Sequence, residues 1–354
     1  MKKKIHLICA ARPNFMKVAP LYHQIKADNQ YDVALVHTGQ HYDYKMSQTF
    51  FDDLGLGSPE FYLNIGSGSH AEQTGKVMIA YEKLCQEQNP DLVVVVGDVN
   101  STLAAAITAK KLHKKVAHLE AGLRSFDRSM PEEINRIATD SISDYFWTPS
   151  SDAGLQLKKE GVSDSQIRMV GNIMIDSFCL MKEKISQAKA AEKMKLSSGR
   201  FGILTLHRPA NVDEKSVLFS ILDQVNQIGV PFVFPIHPRT KKALEGTESR
   251  FANLIPVDPL SYIEFMSLVT ESKLVVTDSG GLQEETTYLG IPCFTMRPNT
   301  ERPITVSMGS NQLVTVANLL EKSKQPKKGS VPPLWDGKTA LRIAEHLQEI
   351  LPSH

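Results

Sequence analysis

Carboxylate residues stand directly after apolar runs in the first half of the chain, where they could carry out acid–base chemistry. Asp98 follows a Val-rich run, Glu120 follows the next apolar run, and Glu132 stands in Pro131-Glu132-Glu133. Carboxylates that converge on one cleft can divide acid and base roles, because burial and mutual repulsion separate their pKa values. A structural role is equally consistent, since Asp98 could cap the next helix and Pro131-Glu132-Glu133 is typical of a first helical turn. The residues alone leave both interpretations open.

A candidate anion site lies in the second half of the chain. An apolar run at residues 274–277 leads through Asp278 into Ser279-Gly280-Gly281 and then into a helical pattern. Glycines let backbone N–H groups approach an anion closely, and a helix N-terminus adds unpaired donors and a positive dipole end, which suits a pyrophosphate. Glu285, one turn further on, could hold ribose hydroxyls. A plain strand-to-helix turn is the alternative.

Cationic side chains and histidines also follow predicted strands. Arg12 and Lys17 come after the first strand, and Arg302 stands in Thr300-Glu301-Arg302-Pro303; each could reach a diphosphate. His207 and His237 close two strands of the second half, where an imidazole could stabilise charge or carry a proton. A lone loop arginine is more often a surface charge, and an isolated histidine is more often structural.

The sequence contains no convincing motif for a dinucleotide cofactor or a metal. Residues 66–71 fit the GxGxxG/A pattern of dinucleotide sites, but they do not lie in the first βα turn, and Asp91 begins a strand rather than ending one. The sequence has no HExxH motif and no Cys/His pair at metal-ligand spacing. We therefore expect neither a nicotinamide cofactor nor a metal.

The composition is typical of a two-domain globular protein. The 354 residues exceed one average domain and are comfortable for two. The net charge is +1, with 40 basic and 39 acidic residues, so nothing indicates nucleic acid or a membrane surface as the main partner. Four separated cysteines indicate free thiols in a reducing compartment, and no apolar run approaches the roughly 18 residues of a membrane helix, so we expect a cytoplasmic protein.

Apolar runs that alternate with helical patterns must position all these residues. The predicted strands are residues 5–9, 33–37, 92–96, 116–119, 145–147, 201–206, 232–236, 254–257, 274–277 and 293–296. Such alternation favours parallel sheets with crossover helices, whose ligands bind beyond the carboxyl ends of the strands. We place the seam between two domains near Gly171-Asn172, which gives domains at residues 1–170 and 171–337.

Together these motifs resemble the non-hydrolysing UDP-N-acetylglucosamine 2-epimerases along nearly the whole chain. The resemblance rests on Ala11-Arg12-Pro13 with Lys17, His37-Thr38-Gly39-Gln40-His41, Gly97-Asp98, residues 118–124 (HLEAGLR), residues 131–136 (PEEINR), Leu206-His207-Arg208, residues 278–285 (DSGGLQEE) and Glu301-Arg302-Pro303. It implies an α/β fold of GT-B type, with two Rossmann-like domains, an interdomain active-site cleft and a last helix at residues 338–354 that crosses back onto the first domain.

The resemblance also implies a reaction. UDP-GlcNAc and UDP-ManNAc are interconverted: a base removes the proton at C2, UDP leaves C1, and a 2-acetamidoglucal forms. UDP then re-adds after protonation on the opposite face. No nicotinamide cofactor or metal takes part, and the family suggests a homodimer.

Residue roles follow from the resemblance. It implies catalytic roles for Asp98, Glu120, Glu132 and His207, with His207 placed to stabilise charge on the departing diphosphate. Substrate or UDP binding falls to Arg12, Lys17, Arg136, His237, Ser279, Gly280, Gly281, Glu285 and Arg302. Gln40, His41, Gln73 and Arg208 match parts of an allosteric UDP-GlcNAc site found in some bacterial members. Which carboxylate acts as base in each direction stays open.

Two departures from the family pattern bear on substrate and regulation. Ala10-Ala11-Arg12-Pro13-Asn14 replaces the more common G-T-R-P-E and is similar to the branch acting on UDP-2,3-diacetamido-uronic acids, which leaves the sugar open. Asp43 and Glu72 stand where activated members tend to have Gln and Arg. Since such acids would repel a second nucleotide, we expect weak or absent activation by substrate.

Three other functions share parts of this pattern. A UDP-sugar glycosyltransferase of GT-B type would need an acceptor-binding apolar patch that the sequence does not indicate. A hydrolysing relative would release free ManNAc and UDP. A non-catalytic nucleotide-sugar binding protein would not need Asp98, Glu120, Glu132 and His207 together.

Overall fold

The computed structural model describes residues 2–10, 12–39, 51, 53–236, 240–241, 244, 246 and 250–352, and of Arg12 and Pro13 it describes the backbone alone. The chain forms two compact units: Met1–Leu180 with Pro333–His354, and Met181–Pro332. Gln40, His41 and His237 of the predicted site, and Asp43, lie outside the described residues.

The secondary structure alternates between strands and helices, as the sequence predicts. The strands are β1 (Lys4–Cys9), β2 (Asp32–His37), β3 (Phe61–Tyr62), β4 (Leu92–Val96), β5 (Lys115–Leu119), β6 (Tyr145–Thr148), β7 (Ile167–Met169), β8 (Gly202–Thr205), β9 (Phe232–Pro235), β10 (Leu254–Val257), β11 (Leu274–Thr277), β12 (Cys293–Thr295) and β13 (Asn311–Leu313). The helices are α1 (Arg12–Asp28), α2 (His70–Gln88), α3 (Asn100–Lys111), α4 (Pro131–Ile142), α5 (Ser151–Lys159), α6 (Ile173–Ala188), α7 (Ala190–Lys193), α8 (Pro209–Val212), α9 (Lys215–Asn226), α10 (Tyr262–Glu271), α11 (Gly280–Leu289), α12 (Pro303–Ser307), α13 (Leu319–Lys324) and α14 (Thr339–Ile350).

The first unit contains a sheet of parallel strands in the order β3-β2-β1-β4-β5-β6-β7. Every residue of β4 is buried, because helices cover both faces of a parallel sheet and each face then needs apolar side chains. Helix α14 packs against α1. Asp176 of α6 caps α14 by accepting hydrogen bonds from the backbone N–H groups of Thr339 (3.1 Å) and Ala340 (2.8 Å).

The second unit contains a sheet of parallel strands in the order β10-β9-β8-β11-β12-β13. Leu218, Leu222, Phe232, Val276 and Phe294 belong to its apolar core.

The first six strands of each unit follow the same order in their sheet. Counted within its unit, the first strand lies between the second and the fourth, so the direction of winding reverses beside it. In open α/β sheets this reversal opens a crevice at the carboxyl ends of the two central strands, where ligands bind. The expectation of two Rossmann-like domains is confirmed. The segments that follow β1, β4, β8 and β11 lie at these crevices and are the candidates for ligand binding.

None of the described helices is long and apolar enough to span a membrane.

Candidate active site

The crevice of the first unit holds a buried ion pair. Lys17 extends from α1, which follows β1, and its Nζ pairs with Oε2 of Glu120, which follows β5. The two side chains are 9% and 3% exposed. Gly97, directly after β4, has φ +66°, and a Cβ at this position would lie 3.2 Å from Lys17 Nζ. Any other residue would be strained at this φ and would crowd the ammonium group beside Glu120.

Glu120 has two unusual features. Its backbone lies in the left-handed region at φ +69°, which costs a non-glycine residue about 1–3 kcal/mol and persists where the surrounding structure imposes it. Its Oε1 atom is buried and accepts no hydrogen bond from any described group, although buried acceptors are normally satisfied. Since Lys17 occupies Oε2, the vacant oxygen is a ready acceptor for a proton or a donor group.

Asp98 is held by a different cation. Its Oδ2 accepts a hydrogen bond from Nη1 of Arg136, and its carbonyl oxygen accepts one from Asn135 Nδ2 at 2.9 Å. The carboxylate remains 29% exposed. The helix-capping interpretation of Asp98 is wrong, since α3 has Val99 at its N-cap and no side-chain cap.

Glu133, which sequence reasoning missed, fixes the arginine that holds Asp98. It is buried and accepts hydrogen bonds from Arg136 Nε (2.9 Å) and Nη2 (2.8 Å) and from the backbone N–H groups of Ser125 and Phe126 (2.9 Å each). Burial alone would raise the pKa of Glu133, but these hydrogen bonds and the arginine charge lower it below its ordinary value. The i,i+3 spacing of Glu133 and Arg136 was the signal available in the sequence.

Glu132 does not join this network. It is exposed in the first turn of α4, after Pro131 at the N1 position, as the helical-turn interpretation predicts.

Gln73 lies at the end of a chain of amides that leads to Asp98. Its Oε1 accepts a hydrogen bond from Asn100 Nδ2 at 2.9 Å, and Asn100 Oδ1 accepts one from Asn135 Nδ2 at 3.2 Å. Glu72 beside it completes a capping box with Ser69 at the start of α2.

In the second unit a carboxylate holds a histidine at the crevice. His207 follows β8, and its Nδ1 lies 2.7 Å from Oδ1 of Asp278, which follows β11; Asp278 is buried and the His207 side chain is 63% exposed. Asp278 also accepts hydrogen bonds from the Arg208 backbone N–H (3.0 Å) and from Asn211 Nδ2 (2.9 Å). Burial would raise the pKa of Asp278, but hydrogen bonds from His207 and its neighbours lower it, so the carboxylate orients the ring.

The Ser279-Gly280-Gly281 turn begins α11. Ser279 is the N-cap and its side chain makes no capping hydrogen bond. A Cβ on Gly280 would lie 2.6 Å from Glu301 Oε1, whereas a Cβ on Gly281 would meet no heavy atom within 4 Å. Backbone N–H groups at the start of a helix that no side chain caps remain available to an anion.

Arg302 lies beneath this turn between two carboxylates. Its Nε is 2.9 Å from Glu284 Oε2, and its Nη1 is 2.5 Å from Glu301 Oε1. The arginine side chain is only 9% exposed, so its charge is already balanced within the protein.

Glu285 is buried on the same helix. It accepts a hydrogen bond from the Tyr262 hydroxyl at 2.5 Å, and burial raises its pKa to about 7. A carboxyl group with this pKa can change protonation state when a ligand arrives.

Comparison with known proteins shows which family the chain belongs to. The UDP-N-acetylglucosamine 2-epimerase family model matches residues 23–348. The UDP-N-acetylglucosamine 2-epimerase of Methanocaldococcus jannaschii is 40% identical over 361 residues, covering 97% of this chain and 98% of that protein. The UDP-2,3-diacetamido-2,3-dideoxy-D-glucuronate 2-epimerase of Pseudomonas aeruginosa is 38% identical, covering 98% of this chain and all of that protein.

A solved structure of a member of this family has the same fold as this chain. The M. jannaschii enzyme in complex with UDP-GlcNAc and UDP superposes with a TM-score of 0.86 at 39% identity, covering 98% of this chain and 99% of that one. The chain therefore belongs to the UDP-N-acetylglucosamine 2-epimerase family.

Proposed function

We propose that this chain interconverts UDP-GlcNAc and UDP-ManNAc by eliminating UDP to a 2-acetamidoglucal and adding it back. The observation that carries the proposal is the pair of buried or half-buried carboxylates, Glu120 and Asp98, each held by a cation at the carboxyl ends of neighbouring strands. Relatives that bear the epimerase name, and the bound UDP-GlcNAc and UDP of the M. jannaschii structure, supply the substrate class.

The elimination needs a base for the proton on C2. Glu120 and Asp98 are the candidates, since each lies at the crevice with a cation beside it, Lys17 for Glu120 and Arg136 for Asp98. Among the described groups, none donates a hydrogen bond to Glu120 Oε1 that a proton would displace. The C2–H bond breaks, its proton passes to a carboxylate, the electron pair forms the C1=C2 double bond, and the C1–O bond breaks as UDP leaves. Protonation of C2 on the opposite face requires a second acid, so two carboxylates fit better than one.

The departing diphosphate gains negative charge as the C1–O bond breaks. The uncapped N-terminus of α11 and the exposed imidazole of His207, oriented by Asp278, are groups that can stabilise this charge. Glu285 remains the proposed ligand of the ribose hydroxyls, and Arg12, His237 and Arg302 remain proposed contacts of the nucleotide. Glu132 keeps its proposed catalytic role only if ligand binding recruits its exposed side chain. The interdomain cleft stays a prediction.

A second substrate has support from one comparison. The P. aeruginosa relative acts, by its name, on a UDP-diacetamido-glucuronate, and it matches 98% of this chain at nearly the same identity as the archaeal relative. The C2 chemistry would be the same, and the sugar substituents at C3 and C5 would differ.

The homodimer and the cytoplasmic location are also part of the proposal, as is weak or absent activation by a second UDP-GlcNAc. Sedimentation of the purified protein tests the dimer. Strongly sigmoidal kinetics with UDP-ManNAc, relieved by trace UDP-GlcNAc, would contradict weak activation.

The deciding experiment incubates the protein with UDP-GlcNAc in D₂O and follows the sugar by NMR. Deuterium at C2 in a mixture of both epimers supports the proposal, whereas free sugar or turnover only with an acceptor would indicate a hydrolase or a transferase. The same assay with the 3-acetamido uronic acid substrate identifies the sugar.

Matched variants locate the chemistry. Glu120→Gln and Asp98→Asn should abolish exchange while sparing UDP binding. Asp91→Asn is the control, because Asp91 precedes β4 at the opposite edge of the same sheet, where it pairs with Lys3 and accepts the Lys4 N–H. Loss of exchange in the control as well would trace the effect to stability rather than to the crevice.

A further inference from the structure

His118 is a fully buried histidine directly behind the candidate carboxylates. It lies in β5, between Val95 of β4 and Phe146 of β6, and its side chain is 0% exposed. Its Nδ1 is 2.6 Å from Asp140 Oδ1, and its Nε2 is 2.8 Å from the carbonyl oxygen of Gly97. The reaction as derived above makes no use of it.

The partners of His118 determine its protonation. A carbonyl oxygen can only accept a hydrogen bond, so Nε2 must carry a hydrogen. Burial would raise the pKa of Asp140, but its contacts lower it, and these include Arg124, which is a cation whatever the state of His118; Asp140 is therefore the charged partner. Its other oxygen, Oδ2, accepts the Gly122 N–H at 3.1 Å and lies 2.7 Å from Arg124 Nη1. Nδ1 must then also carry a hydrogen, and the ring is an imidazolium.

We propose that both ring nitrogens of His118 donate hydrogen bonds and that the His118–Asp140 pair is a positioning device for the Gly97-Asp98 turn. This inference rests on the proposed function, in which Asp98 acts on the sugar. His118 fixes the carbonyl of Gly97, the residue before Asp98, and Asp140 fixes His118 from α4.

One helix thus holds the turn at three points. From α4, Asn135 binds the Asp98 carbonyl oxygen, Arg136 binds the Asp98 carboxylate, and Asp140 acts on the preceding carbonyl through His118. Misplacing a reacting group by about 1 Å can slow an enzyme about 100-fold. The three contacts that fix this turn therefore serve to hold the Asp98 carboxylate in its reacting position.

The imidazolium also acts through its charge. His118 pairs with Val95 in the sheet register, so Gly97 and Glu120 each come two residues later at the same edge. The charged groups around the ring are Asp140 of α4, then Arg124, which Glu160 directly after α5 holds at 2.6 Å. At the crevice itself stand the Lys17–Glu120 and Arg136–Asp98 pairs. A positive charge on His118 adds to the field that Lys17 and Arg136 exert on the two carboxylates.

The same sheet supplies a matched control. His6 of β1 is also buried, but its Nδ1 lies 3.1 Å from the Tyr81 hydroxyl, a group that can donate or accept. Burial lowers the pKa of His6 to about 4, so this ring is neutral at pH 7. The two buried histidines should therefore differ in charge within one protein.

The first test measures protonation without any substrate. Histidine-selective ¹⁵N labelling of the full chain should give His118 two protonated ring nitrogens at pH 7, whereas His6 should show one. His118→Gln and His6→Gln assign the signals. A single protonated nitrogen at His118 at pH 7 overturns the proposal, even if the chain proves not to be an epimerase.

The second test measures positioning. His118→Gln should lower kcat about 100-fold while leaving the UDP dissociation constant within about twofold, and it should move the acid limb of the kcat/KM profile to higher pH. Asp140→Asn should have the same effects and should remove one N–H signal of His118, which keeps the test usable if the glutamine variant folds poorly. His6→Gln should change neither kcat nor the acid limb. An unmoved acid limb in folded variants of both His118 and Asp140 would reduce the pair to a structural role and refute the positioning claim.

Discussion

Replacing Glu285 by glutamine should stabilise the second unit at alkaline pH. The side chain is buried and only 5% exposed, and it has the Tyr262 hydroxyl as its donor at 2.5 Å. Glutamine has nearly the same shape, and its amide oxygen can accept the same hydrogen bond. The substitution therefore removes a titrating group and leaves the packing in place.

The magnitude follows from the raised pKa. Burial, with a contribution from the neighbouring charge of Glu284, raises the pKa of Glu285 from 4.5 to about 7. Since one pKa unit corresponds to 1.36 kcal/mol, ionising this group in the folded protein costs about 3 kcal/mol more than in the unfolded chain. The folded protein binds its proton more tightly than the unfolded one, so the free energy of unfolding is highest below the ordinary pKa. It falls as pH rises towards about 7 and then levels off.

The variant should escape this decline. Glu285→Gln should match the wild type near pH 4.5 and exceed it by about 3 kcal/mol at pH 8. The assay should report on the second unit, and tryptophan fluorescence will not, because Trp147 and Trp335 both belong to the first. Hydrogen exchange of the β11 and β12 amides against pH measures the right region.

The control is Glu192→Gln, an exposed glutamate of the same unit that should change the exchange free energy by less than about 0.5 kcal/mol. If Glu285→Gln and the wild type show parallel pH dependence between pH 5 and pH 8, the carboxyl group is not desolvated as described.

Under the proposed function the wild type should also bind UDP more tightly as pH rises through about 7, since an ionised Glu285 is the better acceptor for ribose hydroxyls.

Two further substitutions test the crevices. Gly97→Ala introduces a Cβ 3.2 Å from Lys17 Nζ at φ +66°, so it should cost about 1–3 kcal/mol of stability and slow deuterium exchange at C2 at least about tenfold, with UDP affinity in a binding titration unchanged. Asp278→Asn removes a carboxylate with a lowered pKa, whose stabilisation is present above its ordinary value of 3.8 and is lost as pH falls. This variant should lose less stability than the wild type in acid unfolding. A parallel loss of stability in both proteins as pH falls would contradict this expectation. The variant should also slow turnover, because it releases His207.

The sequence predicts the architecture well because the decisive strands are buried. All ten predicted strands are present, and residues 92–96 agree to the residue. The strands that prediction missed are β3, β7 and β13, which have two or three residues each. All three lie at sheet edges, and so short a run carries no periodicity. Helix α1 begins at Arg12, so Arg12 lies in the first turn of a helix.

The site was predicted less completely, because its geometry depends on contacts distant in sequence. Asp98 and Glu120 were identifiable as strand-end carboxylates, but their cations come from residues 38 and 103 positions away. No local pattern states that Glu120 adopts φ +69° or that Arg136 is shared between Asp98 and Glu133. Arg302 was predicted to contact a diphosphate because of its charge, and Arg136 was predicted to bind substrate or UDP from the resemblance. The structure places carboxylates against both, because a buried charge needs a partner.

The two crevices differ in the sign of the groups they hold, and this difference suits an elimination. In the first unit, cations hold Asp98 and Glu120, so the crevice presents acceptors for a proton. In the second unit, Asp278 holds His207, and the N-terminus of α11 has no side-chain cap, so the crevice presents donors to an anion. An elimination needs both at once, since the proton leaves one carbon as negative charge develops on the group leaving the next. First-unit variants should therefore alter proton exchange more than UDP affinity, and second-unit variants should alter the two together.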